Sequence, residues 1–368
     1  MSMAKNFWQK LHRPGHAGRP FFALAPMANV TDAAFRKLIA KYGKPDVMWT
    51  EFVSADGLMS SGRGRLLIDL KFSAAERPIV AQLFSGSPEA MLGAAKLVAK
   101  LGFDGLDINM GCPDRAVEKQ GGGASMMKDA KKALAVLEAA REGVREGVCG
   151  KVKTRGKGNL RGKNAIPVSV KTRIGYNKVD WDWIKLLLEQ KLPALTVHLR
   201  TRKEMSNVPA HWELMSKIVK MRDFIQADLS PSERTLIIGN GDVVSLADAR
   251  EKAAESGCDG IMVGRGIFGK PWFFADGASK KTGAHAHARE DRTPRERLKI
   301  MLEHAIAFEK MFGAKDKKYD RIKNFAVMKK HFKAYVNGWD GAKELRVKLM
   351  AAKDLKEVKR IVSDVVLE

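Results

Sequence analysis

Cys112 lies in the run Asn109-Met110-Gly111-Cys112-Pro113, where a glycine and a proline flank it and fix a tight turn. Such a turn aims the thiol in one direction and lets the Asn109 amide, three residues earlier, reach the same ligand. Two glycine-rich runs, Ile238-Gly239-Asn240-Gly241-Asp242 and Val263-Gly264-Arg265-Gly266, let backbone N–H groups approach an anion closely, and Arg265 adds charge-assisted bonds. Together they suit a phosphate-bearing cofactor. A flavin ring would further need a flat platform, an amide for its pyrimidine edge and a cation where negative charge gathers on reduction. Pro26-Met27-Ala28, Gln82 and Lys171 supply those three. A buried lysine needs a partner, so the alternative for Lys171 is an internal ion pair with Glu51.

The elements that must position these residues are eight short apolar, often β-branched runs, at 21–27, 47–53, 78–84, 105–111, 167–173, 194–200, 235–241 and 260–266. Segments with helical periodicity at 88–101, 128–144, 181–190, 212–221 and 245–255 alternate with them, as in a parallel sheet joined by crossover helices. A doubly wound sheet and a TIM (β/α)8 barrel both fit that alternation. The barrel is favoured because the polar chemistry falls at the C-terminal end of each run: Thr50-Glu51, Gln82, Asn109 with Cys112, Lys171 with Arg173, His198 with Arg200, Asn240 with Asp242, and Gly264-Arg265. In a barrel those ends crowd one rim. The expected class is therefore α/β, a TIM barrel over 20–276 preceded by a polar extension, 1–19.

Val152-Lys153-Thr154-Arg155 is repeated as Val170-Lys171-Thr172-Arg173, so either copy could be strand five. The second is chosen because Ile166, Val168 and Val170 lead into it, whereas the first lies among glycines and charges. The region 150–165 then reads as a basic insertion, either a solvated loop or an RNA contact. A polar linker is expected at 277–292 and a helical domain at 293–368, with segments at 294–312, 319–336 and 342–366. Thr293-Pro294 with Glu296 is a good helix opening. In the middle segment Ile322, Phe325, Phe332 and Val336 form an apolar stripe, and Lys323, Lys329, Lys330 and Lys333 enrich the remainder. Such a pattern is a bundle core with a solvated face, or an RNA-binding face.

Across 368 residues, 66 Lys and Arg against 42 Asp and Glu give a net charge of +24, which implies a polyanionic partner: RNA, DNA or anionic lipid. No apolar run of membrane-spanning length and no signal peptide is seen. Cys112, Cys149 and Cys258 are an odd, scattered set, which fits free thiols in the cytosol rather than a disulfide framework. Cys149 and Cys258 read as small buried hydrophobes. His285 and His287 fall in the linker and no metal-ligand spacing occurs, so no metal is expected. A cytoplasmic monomer without a membrane partner is the reading.

Several of these motifs in one order carry a resemblance. Ala25-Pro26-Met27, Gln82, Asn109-Met110-Gly111-Cys112-Pro113 with Val117 and Gly121-Gly122-Gly123-Ala124, Val170 to Gly175, His198 with Arg200-Thr201-Arg202, Asn240-Gly241-Asp242 and Gly264-Arg265 resemble the signature of the dihydrouridine synthases. The likeness spans about 20–275, and the helical C-terminal region resembles that family's RNA-binding domain more loosely. It implies flavin mononucleotide (FMN), reduced by NADPH, saturating the C5–C6 bond of uridine in tRNA. Cys112 would then protonate carbon 5, Asn109, Arg173 and Arg200 would orient the uracil, and Lys171 with His198 would contact flavin or substrate. Leu199 departs from the pattern, standing where the family usually has a small residue, and the insertion before strand five is longer than usual.

Two other readings compete. A flavin barrel of the dihydroorotate dehydrogenase type can carry an Asn-x-x-Cys-Pro-like turn, yet needs neither the charge nor the helical appendage. A non-enzymatic RNA-binding protein on a decayed barrel would keep the basic surface without reason to keep Cys112, Lys171 and both glycine loops.

Overall fold

The β-branched runs, each closed by turn residues, form eight strands: β1 Phe21–Leu24, β2 Met48–Ser54, β3 Ile79–Phe84, β4 Gly105–Met110, β5 Val168–Arg173, β6 Ala194–His198, β7 Leu236–Asn240 and β8 Gly260–Val263. A computed structural model describes them within residues 6–11, 19–149, 165–275, 292–313 and 322–366. Every pairing is parallel and the order is β1-β8-β7-β6-β5-β4-β3-β2. The ring closes between its ends: Leu24 N–H donates to the Val47 carbonyl at 3.0 Å, and Val47 N–H to the Phe22 carbonyl at 3.3 Å. The second Val-Lys-Thr-Arg copy is strand five; the first lies outside the described residues, as does all but residue 165 of the expected basic insertion. The expected linker, apart from Arg292, is likewise outside them.

The chain divides into two compact units, 1–26 with 46–72 and 77–264, and 27–45 with 73–76 and 265–368. In the first, the barrel interior is filled in rows set by the register. Gln82, Asp107 and Ser169 are matched on β3, β4 and β5; Asn109 pairs with Lys171; Arg173 pairs with His198, and His198 with Asn240. Because side chains alternate along a strand, Asp107 with Asn109 and Ser169 with Lys171 and Arg173 share one face. The short helix Phe7–Leu11 buries Trp8 against Phe21 and Trp49, with ring centroids 6.2 and 5.8 Å apart. Outer helices Pro88–Leu101, Trp181–Glu189 and Leu246–Ser256 begin at Ser87, Asp180 and Ser245, whose side chains accept a backbone N–H of the first turn, as N-caps should. The segment expected as a helix from Trp212 opens with a 3-10 turn, and its α-helix is Met215–Ile225.

The second unit holds the helix Ala33–Tyr42, capped by Asp32, which the periodicity did not single out. Arg36 of this helix forms a fully buried ion pair with Glu76, Nε to Oε2 2.7 Å. The helix Pro294–Phe312 opens with the expected capping box between Thr293 and Glu296. The middle segment is shorter than expected: its helix is Val327–Tyr335, and Lys323 lies before it. The last segment is two helices, Ala342–Ala351 and Leu355–Val366. The break has a local cause: Ala352 turns to ψ 134°, and Asp354 Oδ1 accepts the Glu357 N–H at 2.9 Å, starting a new helix. Phe308, Phe312, Phe325 and Phe332 are fully buried in this unit. No helix among the described residues is long and apolar enough to cross a membrane.

Candidate active site

The strand ends of the first unit bring together most of the residues singled out from the sequence: Gln82, Asn109, Cys112, Lys171, Arg173, His198, Arg200, Asn240, Gly241 and Asp242. Asn109, the last inward residue of β4, folds its side chain over the turn that follows. Its Oδ1 accepts the N–H groups of Gly111 at 3.1 Å and Cys112 at 2.9 Å. Gly123, at φ +59°, closes the other side, where a Cβ would lie 2.6 Å from the Cys112 carbonyl oxygen. The Cys112 side chain is thus half-buried on a turn held from both sides. Burial pushes its thiol up, against the Asp114 backbone N–H and the charges of Lys171 and Arg173, so it stays protonated near neutral pH.

Lys171, the Cα partner of Asn109 on β5, has no hydrogen bond or salt bridge among the described residues, and the alternative pair with Glu51 is not formed. Burial, then the neighbouring Arg173, pull its ammonium down to about 8, opposed by Asp107. A cation inside the barrel with no hydrogen-bonded partner is costly. It suits a ligand that carries or gathers negative charge beside it, so this donor fits the flavin expected from the sequence. Gln82 is fully buried and already paired at both ends, Nε2 donating to Asp107 at 2.7 Å and Oε1 accepting from Asn109 at 3.0 Å.

The two arginines brace the site. Arg173 donates from Nε to the Gly111 carbonyl at 2.9 Å and from Nη1 to the carbonyls of Thr201 and Met205, each at 3.0 Å. It therefore ties the Cys112 turn to the loop after β6. Burial pulls its guanidinium down to about 10, which leaves it charged. Arg200 donates to the Val208 carbonyl at 2.6 Å, bonds His198 Nε2 at 3.2 Å and pairs with Asp242. Leu199, the departure from the family pattern, is fully buried, and its backbone alone links Asn240 and His211. Asn240 donates to the Met262 carbonyl at 2.8 Å. Gly241, at φ +133°, could not carry a Cβ, which would meet Ala210 Cβ at 2.7 Å; its bare backbone is the kind of cradle a phosphate needs.

None of the bonds above involves the remaining candidates. Pro26 and Gly264 end their stretches of the first unit, while Met27, Ala28 and Arg265 fall in the second, where Arg265 is exposed and opens the 3-10 turn Arg265–Ile267. Lys329, Lys330 and Lys333 share one side of their helix, opposite the buried Met328, Phe332 and Tyr335; Lys323 lies 5.1 Å from the Phe312 ring centroid. Sequence reasoning passed over Asp107, which is fully buried among β3, β4 and β5. Its signal was an acidic residue two positions before Asn109 in an otherwise apolar strand. Cys258 is the buried hydrophobe expected, 7% exposed and donating weakly to the Gly260 carbonyl.

A family sequence model described as Dihydrouridine synthase (Dus) matches residues 23–368. The chain is 36% identical over 369 residues to a probable tRNA-dihydrouridine synthase of Staphylococcus aureus (strain COL), covering 98% of this chain and 96% of the relative. It is 37% identical over 366 residues to one of Staphylococcus epidermidis (strain ATCC 35984), with the same coverages. A probable tRNA-dihydrouridine synthase 2 of Bacillus subtilis (strain 168) is 36% identical, with 98% and 97% covered.

Proposed function

The chain belongs to the dihydrouridine synthase family, flavin-dependent oxidoreductases that form dihydrouridine in tRNA, and from that premise we propose how its residues divide the reaction. The flavin is flavin mononucleotide and the reductant is NADPH. Lys171, His198, Gln82 and the backbone of Asn240, Gly241 and Asp242 hold the cofactor, with Pro26 and Gly264 joining the set by the family resemblance. The chemistry such a cofactor supplies when bound is hydride transfer to uracil carbon 6, with NADPH as the source.

Cys112 does the complementary work. Its S–H bond breaks, the proton forms a C–H bond at uracil carbon 5, and water restores the thiol. Saturating one C=C bond therefore consumes one hydride and one proton. The observation that carries this reading is the half-buried thiol on its braced turn, kept protonated by burial next to the Lys171 ammonium, which has no hydrogen-bonded partner among the described residues. A proton donor must hold its proton until the substrate arrives. Asn109, Arg173 and Arg200 shape the space in which the uracil is oriented. The lysine face at Lys323, Lys329, Lys330 and Lys333 grips tRNA phosphates, supported by the net charge of +24. The enzyme works as a cytosolic monomer. Mapping dihydrouridine in tRNA from cells with and without this protein tests the assignment: specific uridines should lose the modification, and an unchanged map would refute it.

A further inference from the structure

Gln82, Asp107 and Ser169 stand in one register row inside the barrel, each at most 1% exposed. From Asp107 a relay of side-chain bonds runs to the Cys112 turn, with every donor pointing back toward the carboxylate. Ser169 Oγ donates to Asp107 Oδ1 at 2.5 Å, and Gln82 Nε2 donates to Asp107 Oδ2 at 2.7 Å. Gln82 Oε1 accepts from Asn109 Nδ2 at 3.0 Å, and Asn109 Oδ1 accepts from Gly111 and Cys112 at 3.1 and 2.9 Å. The order follows from donor chemistry. An ionised carboxylate can only accept, so Gln82 must turn its nitrogen toward Asp107 and its oxygen toward Asn109. Asn109 must then turn its nitrogen toward Gln82, which leaves its oxygen for the turn.

A primary amide fits its space nearly as well after a half-turn, because its nitrogen and oxygen are close in size. Flipped, Asn109 would set its NH2 group against the N–H groups of Gly111 and Cys112, leaving buried donors without acceptors. We propose that Asp107 is a positioning residue for Cys112: its carboxylate sets the direction of two successive side-chain amides and so holds the turn that carries the thiol. The proposal rests on the reading of Cys112 as proton donor. A carboxylate is an expensive choice for a row that packing alone could fill with leucine or valine. Burial pushes Asp107 up to about 6, opposed by the Gln82 and Ser169 bonds and the Lys171 charge. Retaining it there is explained by the direction it imposes.

The test compares the wild-type enzyme with Asp107→Leu and with the double variant Asp107→Asn/Gln82→Glu, by backbone amide exchange and by single-turnover reduction of uridine in tRNA. Asp107→Leu removes the acceptor that anchors the relay. In the double variant the asparagine introduced at 107 still accepts from Ser169 and donates to the carboxylate introduced at 82, whose second oxygen still accepts from Asn109. All directions survive, although the charge has moved. Asp107→Leu should speed exchange at Gly111 and Cys112 about tenfold relative to the β4 ladder, the worth of roughly one hydrogen bond, and slow uridine reduction by a similar factor. The double variant should recover the exchange to within about threefold. Should Asp107→Leu fail to fold, Gln82→Met cuts the relay one link further on and carries the same expectation for exchange.

Unchanged exchange at Gly111 and Cys112 in the cut variant, or a double variant no better than it, overturns the relay itself. Exchange that responds while uridine reduction does not overturns the proposal by a different route, through the assignment of Cys112.

Discussion

The backbone N–H of Cys112 donates to the side chain of Asn109 at 2.9 Å, which makes the last inward residue of β4 the anchor of the residue proposed to move the proton. The thiol is therefore placed by the barrel itself rather than by a loop free to wander. Arg173 reinforces the same turn from β5 through the Gly111 carbonyl.

Lys171 has a charge that changes within an accessible pH range. Its ammonium is pulled down to about 8 by burial, so the charged fraction falls as pH rises through that value. Affinity for flavin mononucleotide, read by fluorescence quenching, should weaken about tenfold between pH 7 and pH 9. Lys171→Met should bind more weakly at pH 7 and lack that step. An identical pH profile in the variant would remove Lys171 from the cofactor site.

The helical unit should lose stability in acid for a nameable reason. Burial pushes His331 down to about 3 and His304 well below its ordinary value, with the His331 charge adding to the latter. Both stay neutral in the fold while the unfolded chain takes up protons near pH 6.5. The contribution is intact above that pH and is lost as pH falls toward the folded value, at up to about 1.4 kcal/mol per pH unit per histidine. Denaturation at pH 7 and pH 5 should show His331→Leu losing about 2 kcal/mol less than wild type over that interval. Equal losses would show that His331 is protonated without penalty.

RNA binding should depend on the lysine face in a way that salt reveals. Replacing Lys323, Lys329, Lys330 and Lys333 with glutamine should weaken binding of many tRNAs about equally. The slope of log affinity against log salt should fall by about 0.7 to 0.9 for each phosphate that the variant no longer neutralises. Flavin binding should be unaffected. A variant that keeps the wild-type affinity and slope would place the RNA on another surface.

Much of the barrel was legible because its signals are local. Alternating apolar runs predict strands, and a polar residue at the end of each predicts a common rim, which the register of Arg173, His198 and Asn240 bears out. The Cys112 turn was legible for the same reason, since glycine and proline act on the backbone beside them. What escaped was set by partners far away in sequence. Nothing around Asp107 announces that Gln82 and Ser169 will bond to it from neighbouring strands. That Lys171 would lack Glu51 as a partner could not be read without the closed barrel. The break after Ala351 was missed because Asp354 acts as a cap only once the chain has turned at Ala352.

The central claim is that Cys112 supplies the proton, and timing the two half-reactions of Cys112→Ala tests it most directly. The protein is first reduced with NADPH in the absence of RNA and then mixed with unmodified tRNA. The account predicts that flavin reduction proceeds at close to the wild-type rate while uridine reduction falls by about 10² to 10⁴, the usual worth of a general acid. In the wild type the second step should hold steady through neutral pH and decline only in alkali, because burial keeps the thiol protonated. A variant that reduces uridine at nearly the wild-type rate, or slows both steps alike, would contradict the account.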